Sequence, residues 1–170
     1  ELFRLPRSLP RVRLDHVLNV QSNQVLFAGE LPYLATVNLS ASNQWDVADP
    51  RSVMDPDANT FLFDRDGVVW FVTQAKRLAR FENGHFNFVT KGLPEKHVNA
   101  VAVDSAQQLW IATPRHLATW DGKKFTDCTP TNGVAPDNIL QISFSGDGGL
   151  WVLEKNRLRK FLNGRWQVEI

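Results

Sequence analysis

The chain has 170 residues, 43% of them hydrophobic, which is typical of a globular protein and not of a disordered one. Its 19 Lys and Arg nearly balance its 18 Asp and Glu, so a net charge of +1 provides no basic field that would collect nucleic acid. The single cysteine, Cys128, excludes an internal disulfide and any metal site with several cysteine ligands, and the apolar runs are too short to span a membrane.

The first residues, 1–14, predict an extended lead-in strand. Pro6 and Pro10 lack the N–H that a central strand must donate, so this segment is expected at an edge, along a neighbouring sheet. No signal peptide is recognisable at Glu1, and we expect either that a leader has been removed or that the chain starts inside a longer one.

From residue 15 onward, one pattern of turn and strand recurs. A polar turn leads into a short apolar strand that contains a Trp, and the three Trp residues are 40 and 41 positions apart. A fixed period of this length is typical of a repeat architecture. The pattern occupies 64–73, 104–113 and 145–153, with Trp70, Trp110 and Trp151 in the strand, and a weaker first copy has Phe27 at that position.

Each copy is predicted to be a four-stranded antiparallel meander with short turns. Asn-Gly and Asp-Gly pairs between apolar segments favour hairpins, and no segment has a 3.6-residue period long enough for a stable helix. Strands of this length with one Trp per repeat predict an all-β fold built from β-propeller blades. The hairpin pairs are Asn83-Gly84, Asp121-Gly122 and Asn163-Gly164, and the predicted blades are 15–47, 59–89, 98–128 and 138–169, within one propeller domain or fragment, 1–170.

The recurring aromatic residues are expected to pack between blades. Trp70, Trp110, Trp151 and Phe27 share one strand position that must fill the wedge from one blade to the next. A second recurring set follows the hairpin turn and is also expected to pack: Trp45, Phe86, Phe125 and Trp166.

A row of four blades poses a packing problem, because a blade is apolar on both faces. Two faces stay uncovered unless the ring closes. We keep three alternatives: a closed four-bladed ring, a ring completed by a second copy of the chain, and a part of a larger propeller. A sandwich of two packed sheets would not require a 40-residue period.

One family resemblance emerges from these residues. The third copy, Gly92-Leu93-Pro94 with 98–104, Leu109-Trp110-Ile111-Ala112-Thr113 and Trp120-Asp121-Gly122, resembles the two-component regulator propeller repeat. The resemblance covers 59–169 well and 15–47 poorly. It implies a periplasmic or extracytoplasmic sensor region of a bacterial hybrid histidine kinase or related regulator, which acts in signal transduction by binding a ligand such as an oligosaccharide fragment.

The loops that follow the Trp strands differ from copy to copy, and divergent loops on a regular frame are typical of a recognition face. We therefore predict that the chain is a non-enzymatic binding module. An alternative is a propeller that mediates protein–protein contact, either with another protein or in a homo-oligomer. The predicted ligand-binding residues are Gln74, Lys76, Arg115, His116, Lys155 and Arg157.

No catalytic, cofactor or metal site is predicted. The histidines His16, His85, His97 and His116 occupy non-equivalent positions without metal-binding spacing. The Asp64–Gly67 turn lacks the acidic residue that a calcium loop needs at its twelfth position, so its carboxylates are predicted to stabilise the turn. An enzyme resembling streptogramin lyases, which are propellers with a His base and a metal, ranks lowest among the alternatives.

Overall fold

The fold is given by a computed structural model of the protein. It describes residues 61–82, 85–131 and 133–170 and, in the first part of the chain, four strands as backbone. The predicted lead-in and the Asn83-Gly84 turn lie outside the described residues, apart from Leu14, which begins a strand. The described residues contain no helix and no candidate membrane-spanning helix.

The strands form four antiparallel sheets, each with its strands side by side in chain order. The first sheet contains β1 (Leu14–Gln21), β2 (Gln24–Gly29), β3 (Leu34–Asn38) and β4 (Gln44–Val47). The second contains β5 (Phe61–Phe63), β6 (Val69–Val72), β7 (Leu78–Glu82) and β8 (His85–Phe88). The third contains β9 (Ala100–Val103), β10 (Leu109–Ala112), β11 (Leu117–Trp120) and β12 (Phe125–Asp127). The fourth contains β13 (Ile139–Phe144), β14 (Leu150–Glu154), β15 (Leu158–Leu162) and β16 (Arg165–Glu169).

This arrangement confirms the predicted all-β fold of repeated four-stranded meanders. The innermost strands of consecutive sheets lie side by side: β1 beside β5, β5 beside β9, and β9 beside β13. Such stacking of blade-like sheets is that of part of a propeller. The division of the chain into domains and the way in which its outer sheet faces are covered stay predictions.

The core lies between the sheets, because alternate residues of each strand point to opposite faces. In β10, Ile111 packs on the second sheet and Ala112 on the fourth. Burying both faces of a sheet in this way stabilises the described part of the fold by about 25 cal/mol per Å² of apolar surface.

The aromatic wedge is confirmed at two of the three Trp positions. The prediction that Phe27 shares this position is wrong, because the register of the first sheet puts Leu26 there and Phe27 one residue later. Trp70 is fully buried and meets Trp120 of the third sheet edge-on, with ring centroids 5.6 Å apart. Trp110 meets Phe144 of the fourth sheet in the same way, also at 5.6 Å. Trp151 is partly buried, as Trp110 is, but it lies on the face of the fourth sheet that points away from the third.

The second aromatic set packs as predicted where the structure describes it. Phe86 contacts Phe71 and Phe81, and Trp166 contacts Phe161, with ring centroids 4.9–5.6 Å apart. Phe125 joins the cluster around Trp70. The side chain of Trp45 lies outside the described residues.

The turn before each Trp strand is organised by its first side chain. Asp64 accepts hydrogen bonds from the backbone N–H groups of Asp66 and Val68 through Oδ1, and from the indole Nε1–H of Trp70 through Oδ2 at 2.7 Å. The prediction that a carboxylate stabilises this turn is confirmed for Asp64, which also anchors the Trp six residues later. Asp104 repeats all three bonds, to Ala106, Gln108 and Trp110.

The two described hairpin turns with an Asn-Gly or Asp-Gly pair differ in length. Asn163 and Gly164 both have positive φ, 52° and 74°, as a type I′ turn requires. The Asp121-Gly122 turn is longer, because the Asp121 carboxylate accepts hydrogen bonds from the N–H groups of Lys123 and Lys124 and holds a four-residue loop.

Candidate functional site

All predicted site residues lie at one end of the sheets. Antiparallel strands alternate in direction, so the loops between the second and third strands emerge at the same end as the connections between sheets. We call this end the inter-blade face. It comprises the loops 73–77, 113–116 and 155–157 and the connections 89–99, 128–131 and 133–138.

The inter-blade face is one hydrogen-bonded surface. The backbone N–H of Val98 donates to the carbonyl of Lys76 at 2.9 Å, and that of Ile139 donates to Pro114 at 2.8 Å. Asn99 bridges two sheets, because its Nδ2 donates to the carbonyl of Ile139 at 2.6 Å. Each connection is thus fixed on the loop of the preceding sheet, and side chains from neighbouring sheets face the same region.

A cleft of about 570 Å³ opens on this face between the 73–77 loop and the 89–99 connection. Its volume is within the range of small-molecule sites. Apolar and charged side chains both contribute to it, so it could hold a molecule with an apolar body and a charged group. The lining residues are Ala75, Arg77, Val89, Thr90, Leu93, Pro94, Glu95, Lys96 and His97.

Arg77 is the best-positioned cation of the cleft. Its backbone is fixed by Thr73, whose N–H donates to the Arg77 carbonyl at 3.0 Å and whose hydroxyl accepts from the Arg77 N–H at 3.2 Å. The guanidinium carbon lies 3.4 Å from the centroid of the Phe88 ring, a cation–π contact that restricts the side chain and leaves its N–H groups available.

The carboxylate of Glu95 is directed to the neighbouring loop. Burial alone would raise the pKa of Glu95. The pKa is nevertheless held below its usual value by hydrogen bonds from the Thr113 hydroxyl and from the Arg115 N–H, which lies 3.0 Å away. The charges of His116 and Arg115 lower it further. Within the described part of the chain, Arg77, Lys96 and His97 form no ion pair with a carboxylate. The cleft therefore carries an excess of positive charge.

Two of the predicted site residues, Arg115 and His116, lie on the 113–116 loop. Arg115 is exposed, whereas His116 Nδ1 is 2.7 Å from Asp127 Oδ2 on the outer strand β12. Burial would raise the pKa of Asp127, but hydrogen bonds from Thr129 and the contact with His116 lower it. His116 thus holds the loop to its own sheet.

Arg157 takes part in a buried ionic network that the sequence did not reveal. Its Nη2 lies 2.7 Å from Glu154 Oε2, and the other carboxylate oxygen of the fully buried Glu154 pairs with Arg159. Arg159 also donates to the carbonyl of Val134 at 2.7 Å and stacks over Trp166 at 3.8 Å. The network ties the 133–138 connection to the fourth sheet.

The six predicted residues share the inter-blade face, and none of them is among the lining residues of the cleft. Gln74 and Lys76 alternate with two lining residues of the cleft, and Lys155 is exposed on the 155–157 loop. The sequence analysis did not predict Glu95 or Lys96 as site residues. Their position directly after Gly92-Leu93-Pro94 could have indicated that they lie on the inter-blade face. In the part of the chain that the structure describes, no three His, Cys, Asp or Glu side chains are grouped to hold a metal ion.

Comparisons with known proteins give the fold. No family model matches the chain, and no curated protein does. It is similar to virginiamycin B lyase from Staphylococcus aureus with quinupristin, at TM-score 0.58 and 14% identity, over 94% of this chain and 54% of that one. It is also similar to the extracellular domain of a hybrid two-component system from B. thetaiotaomicron, at TM-score 0.59 and 13% identity, over 95% of this chain and 23% of that one. A third similar structure is YCF48 bound to D1 peptide, at TM-score 0.54 and 13% identity, over 99% and 57%.

At these identities the likeness shows the propeller fold alone. The chain spans about half the length of the lyase and about a quarter of the two-component extracellular domain.

Proposed function

We propose that the chain is a non-enzymatic recognition module that binds a small organic anion in the cleft between the 73–77 loop and the 89–99 connection. The observation that carries the proposal is the orientation of Arg77 by Phe88 beside Lys96. The one carboxylate among the described lining residues, Glu95, bonds to Arg115. Arg77 would meet a carboxylate or sulfate of the ligand through paired N–H groups. Leu93, Pro94 and Val89 would cover its apolar part.

The test is titration calorimetry of the purified chain against a panel of organic carboxylates and sulfates and their uncharged amide or alcohol analogues. We expect binding of at least one charged member and no binding of its uncharged analogue. Arg77→Gln should weaken that binding by roughly 10–100-fold, because a hydrogen bond to a charged group contributes about 1.5–3 kcal/mol.

The matched control is Arg65→Gln. Arg65 is also exposed but lies at the opposite end of the sheets, beside Asp66 at 3.8 Å. Unchanged affinity in this variant, with an unchanged melting temperature in both, would assign the loss to the cleft. Equal affinity for charged and uncharged analogues would contradict the proposal.

We also propose that the module belongs to the extracytoplasmic sensor region of a two-component regulator. The repeat resemblance around Gly92-Leu93-Pro94 supports this, as does the similarity to an extracellular domain of such a system. Fusion of the native gene to a reporter that is active only outside the cytoplasm tests the location; a reporter that is active only inside would refute it.

A protein partner is the second candidate, and one similar structure, YCF48, binds a peptide. Recovery of one stoichiometric protein from native cells, together with no response to the anion panel, would favour it. The enzyme alternative rests on the similarity to the lyase and predicts divalent-metal-dependent turnover of quinupristin. Measured turnover would refute a non-enzymatic role.

A further inference from the structure

The charges of the described residues are unevenly divided between the two ends of the sheets. The inter-blade face carries seven Lys and Arg against two carboxylates, those of Glu95 and Asp137. The opposite end carries five Asp against three Lys and Arg, in the turns 64–68, 104–108, 121–124, 145–149 and 163–164. A net charge of +1 for the whole chain is thus compatible with one basic end, and the field of that end attracts anions to the inter-blade face.

The cleft on this face contains two cations, Arg77 and Lys96. Arg77 is held over the Phe88 ring, with its guanidinium carbon 3.4 Å from the ring centroid, and Lys96 belongs to the 89–99 connection. Both side chains are exposed, and no carboxylate of the described residues forms an ion pair with either of them. A ligand can therefore reach both cations without breaking an existing ion pair.

The carboxylate of Glu95 does not compensate these two cations. Its Oε2 accepts a hydrogen bond from the backbone N–H of Arg115 at 3.0 Å, so the carboxylate is held at the neighbouring 113–116 loop. The positive charge of Arg115 offsets it there. A ligand with a single negative charge would therefore leave either Arg77 or Lys96 without a counter-charge.

The apolar part of the cleft is aliphatic. Val89 and Leu93 pack on the core cluster around Trp70, so this part of the lining is fixed before a ligand binds. The loops and connections of the inter-blade face contain no Phe, Trp or Tyr, and Arg77 occupies one face of the Phe88 ring beside the cleft. A sugar ring would thus lack the aromatic side chains on which such rings usually stack, and the cleft favours a ligand that is selected by its charges.

We propose that the ligand of the cleft is a small dianion with an apolar body, whose negative charges are bound by Arg77 and Lys96. This inference rests on the proposed function and narrows it from organic anions in general to those with two negative charges. Arg77 would bind a carboxylate or phosphate through paired N–H groups, whereas Lys96 would act as a point charge. A dicarboxylate and a phosphate monoester share this chemistry, and the experiment distinguishes them.

The test is titration calorimetry of the full chain with linear dicarboxylates from succinate to suberate, the monomethyl ester of each, and alkyl phosphates. We expect at least one diacid to bind roughly 5-fold more tightly than its own monoester, which is the upper end of what a solvent-exposed ion pair contributes. The preference should shrink at high salt, because exposed charges are screened. An alkyl phosphate that binds as tightly as the best diacid, and that also depends on Lys96, would identify a phosphate monoester as the source of the dianion.

Lys96→Gln should abolish the preference for the diacid and leave the affinity for the monoester unchanged. Lys91→Gln is the matched control, because Lys91 is an exposed lysine of the same connection that does not line the cleft, and this variant should keep the preference. Melting temperatures show that both variants are folded.

Two results would overturn this inference alone. One is equal affinity for every diacid and its monoester, which would leave the proposed binding of an organic anion standing. The other is a preference for the diacid that survives Lys96→Gln or that Lys91→Gln lowers equally. If no charged compound binds at all, the proposed function fails as well, so the two failures are distinguishable.

Discussion

The side chain at the start of each turn decides how firmly the following Trp is anchored. In the second and third sheets an Asp satisfies two backbone N–H groups and the indole N–H, which would otherwise be buried without an acceptor. In the fourth sheet Ser145 stands at this position, and its hydroxyl bonds to Asp147 instead. Because a serine hydroxyl cannot accept all three bonds, the fourth sheet does not repeat this anchor.

Asp64→Ala tests this anchor. We expect a loss of about 3 kcal/mol in the free energy of unfolding, because the buried indole N–H of Trp70 and two backbone N–H groups lose their acceptor. Urea denaturation measures it. Ser145→Ala in the equivalent, exposed turn is the control and should cost less than about 1 kcal/mol. Equal losses in both variants would show that the Asp–Trp bond has no special weight.

In the fourth sheet an ion pair occupies two positions that hold uncharged residues in the second and third sheets. Thr73 and Thr113 stand where the fourth sheet has Glu154, and Ala79 and Ala118 stand where it has Arg159. The long Arg side chain reaches the 133–138 connection and stacks on Trp166, so the pair connects a loop that the shorter residues could not reach.

Glu154→Thr is therefore expected to destabilise the protein strongly, by about 3–5 kcal/mol, since it leaves Arg159 buried without its carboxylate. The double variant Glu154→Thr with Arg159→Ala copies the second and third sheets and should recover part of that loss. Thermal unfolding of the wild type, both single variants and the double variant measures the coupling. Additive losses would argue that the two side chains act independently.

Contacts at the inter-blade face fix the connections between consecutive sheets. One of these contacts includes a titratable group, the carboxylate of Glu95. The folded-state pKa of Glu95 lies below its ordinary value of 4.5. A lowered pKa means that the ionised form stabilises the fold above the unfolded-state pKa. This contribution is lost as the pH falls through the folded-state pKa.

We expect Glu95→Gln to melt roughly 1–2 °C below the wild type at pH 7, a small effect because the carboxylate is largely solvated. The difference should persist down to about pH 5 and vanish below the folded-state pKa, where the wild-type carboxyl is protonated too. Scanning calorimetry from pH 7 to pH 3 measures it. A difference that stays constant over this range would exclude a role for the charge.

The sequence by itself determined the architecture, because its signals are local. Strand alternation, the Asp turn six residues before Trp70 and Trp110, and the Asn-Gly hairpin at 163–164 each act within a few residues, and the pattern recurs every 40 or so. Equivalent positions then point to equivalent faces, which predicted how Trp70 and Trp110 pack.

Only the tertiary structure decided which loop residues meet. The cleft joins Arg77 to residues some 20 positions later, across the connection between two sheets. The same applies to the ion pair of Arg157 with Glu154, and to Trp151, whose exposure depends on whether a sheet packs on it. The ligand-binding role of Arg157 stays a prediction. These outcomes depend on contacts between distant segments, and the local pattern of a strand is the same with or without a neighbour on its face.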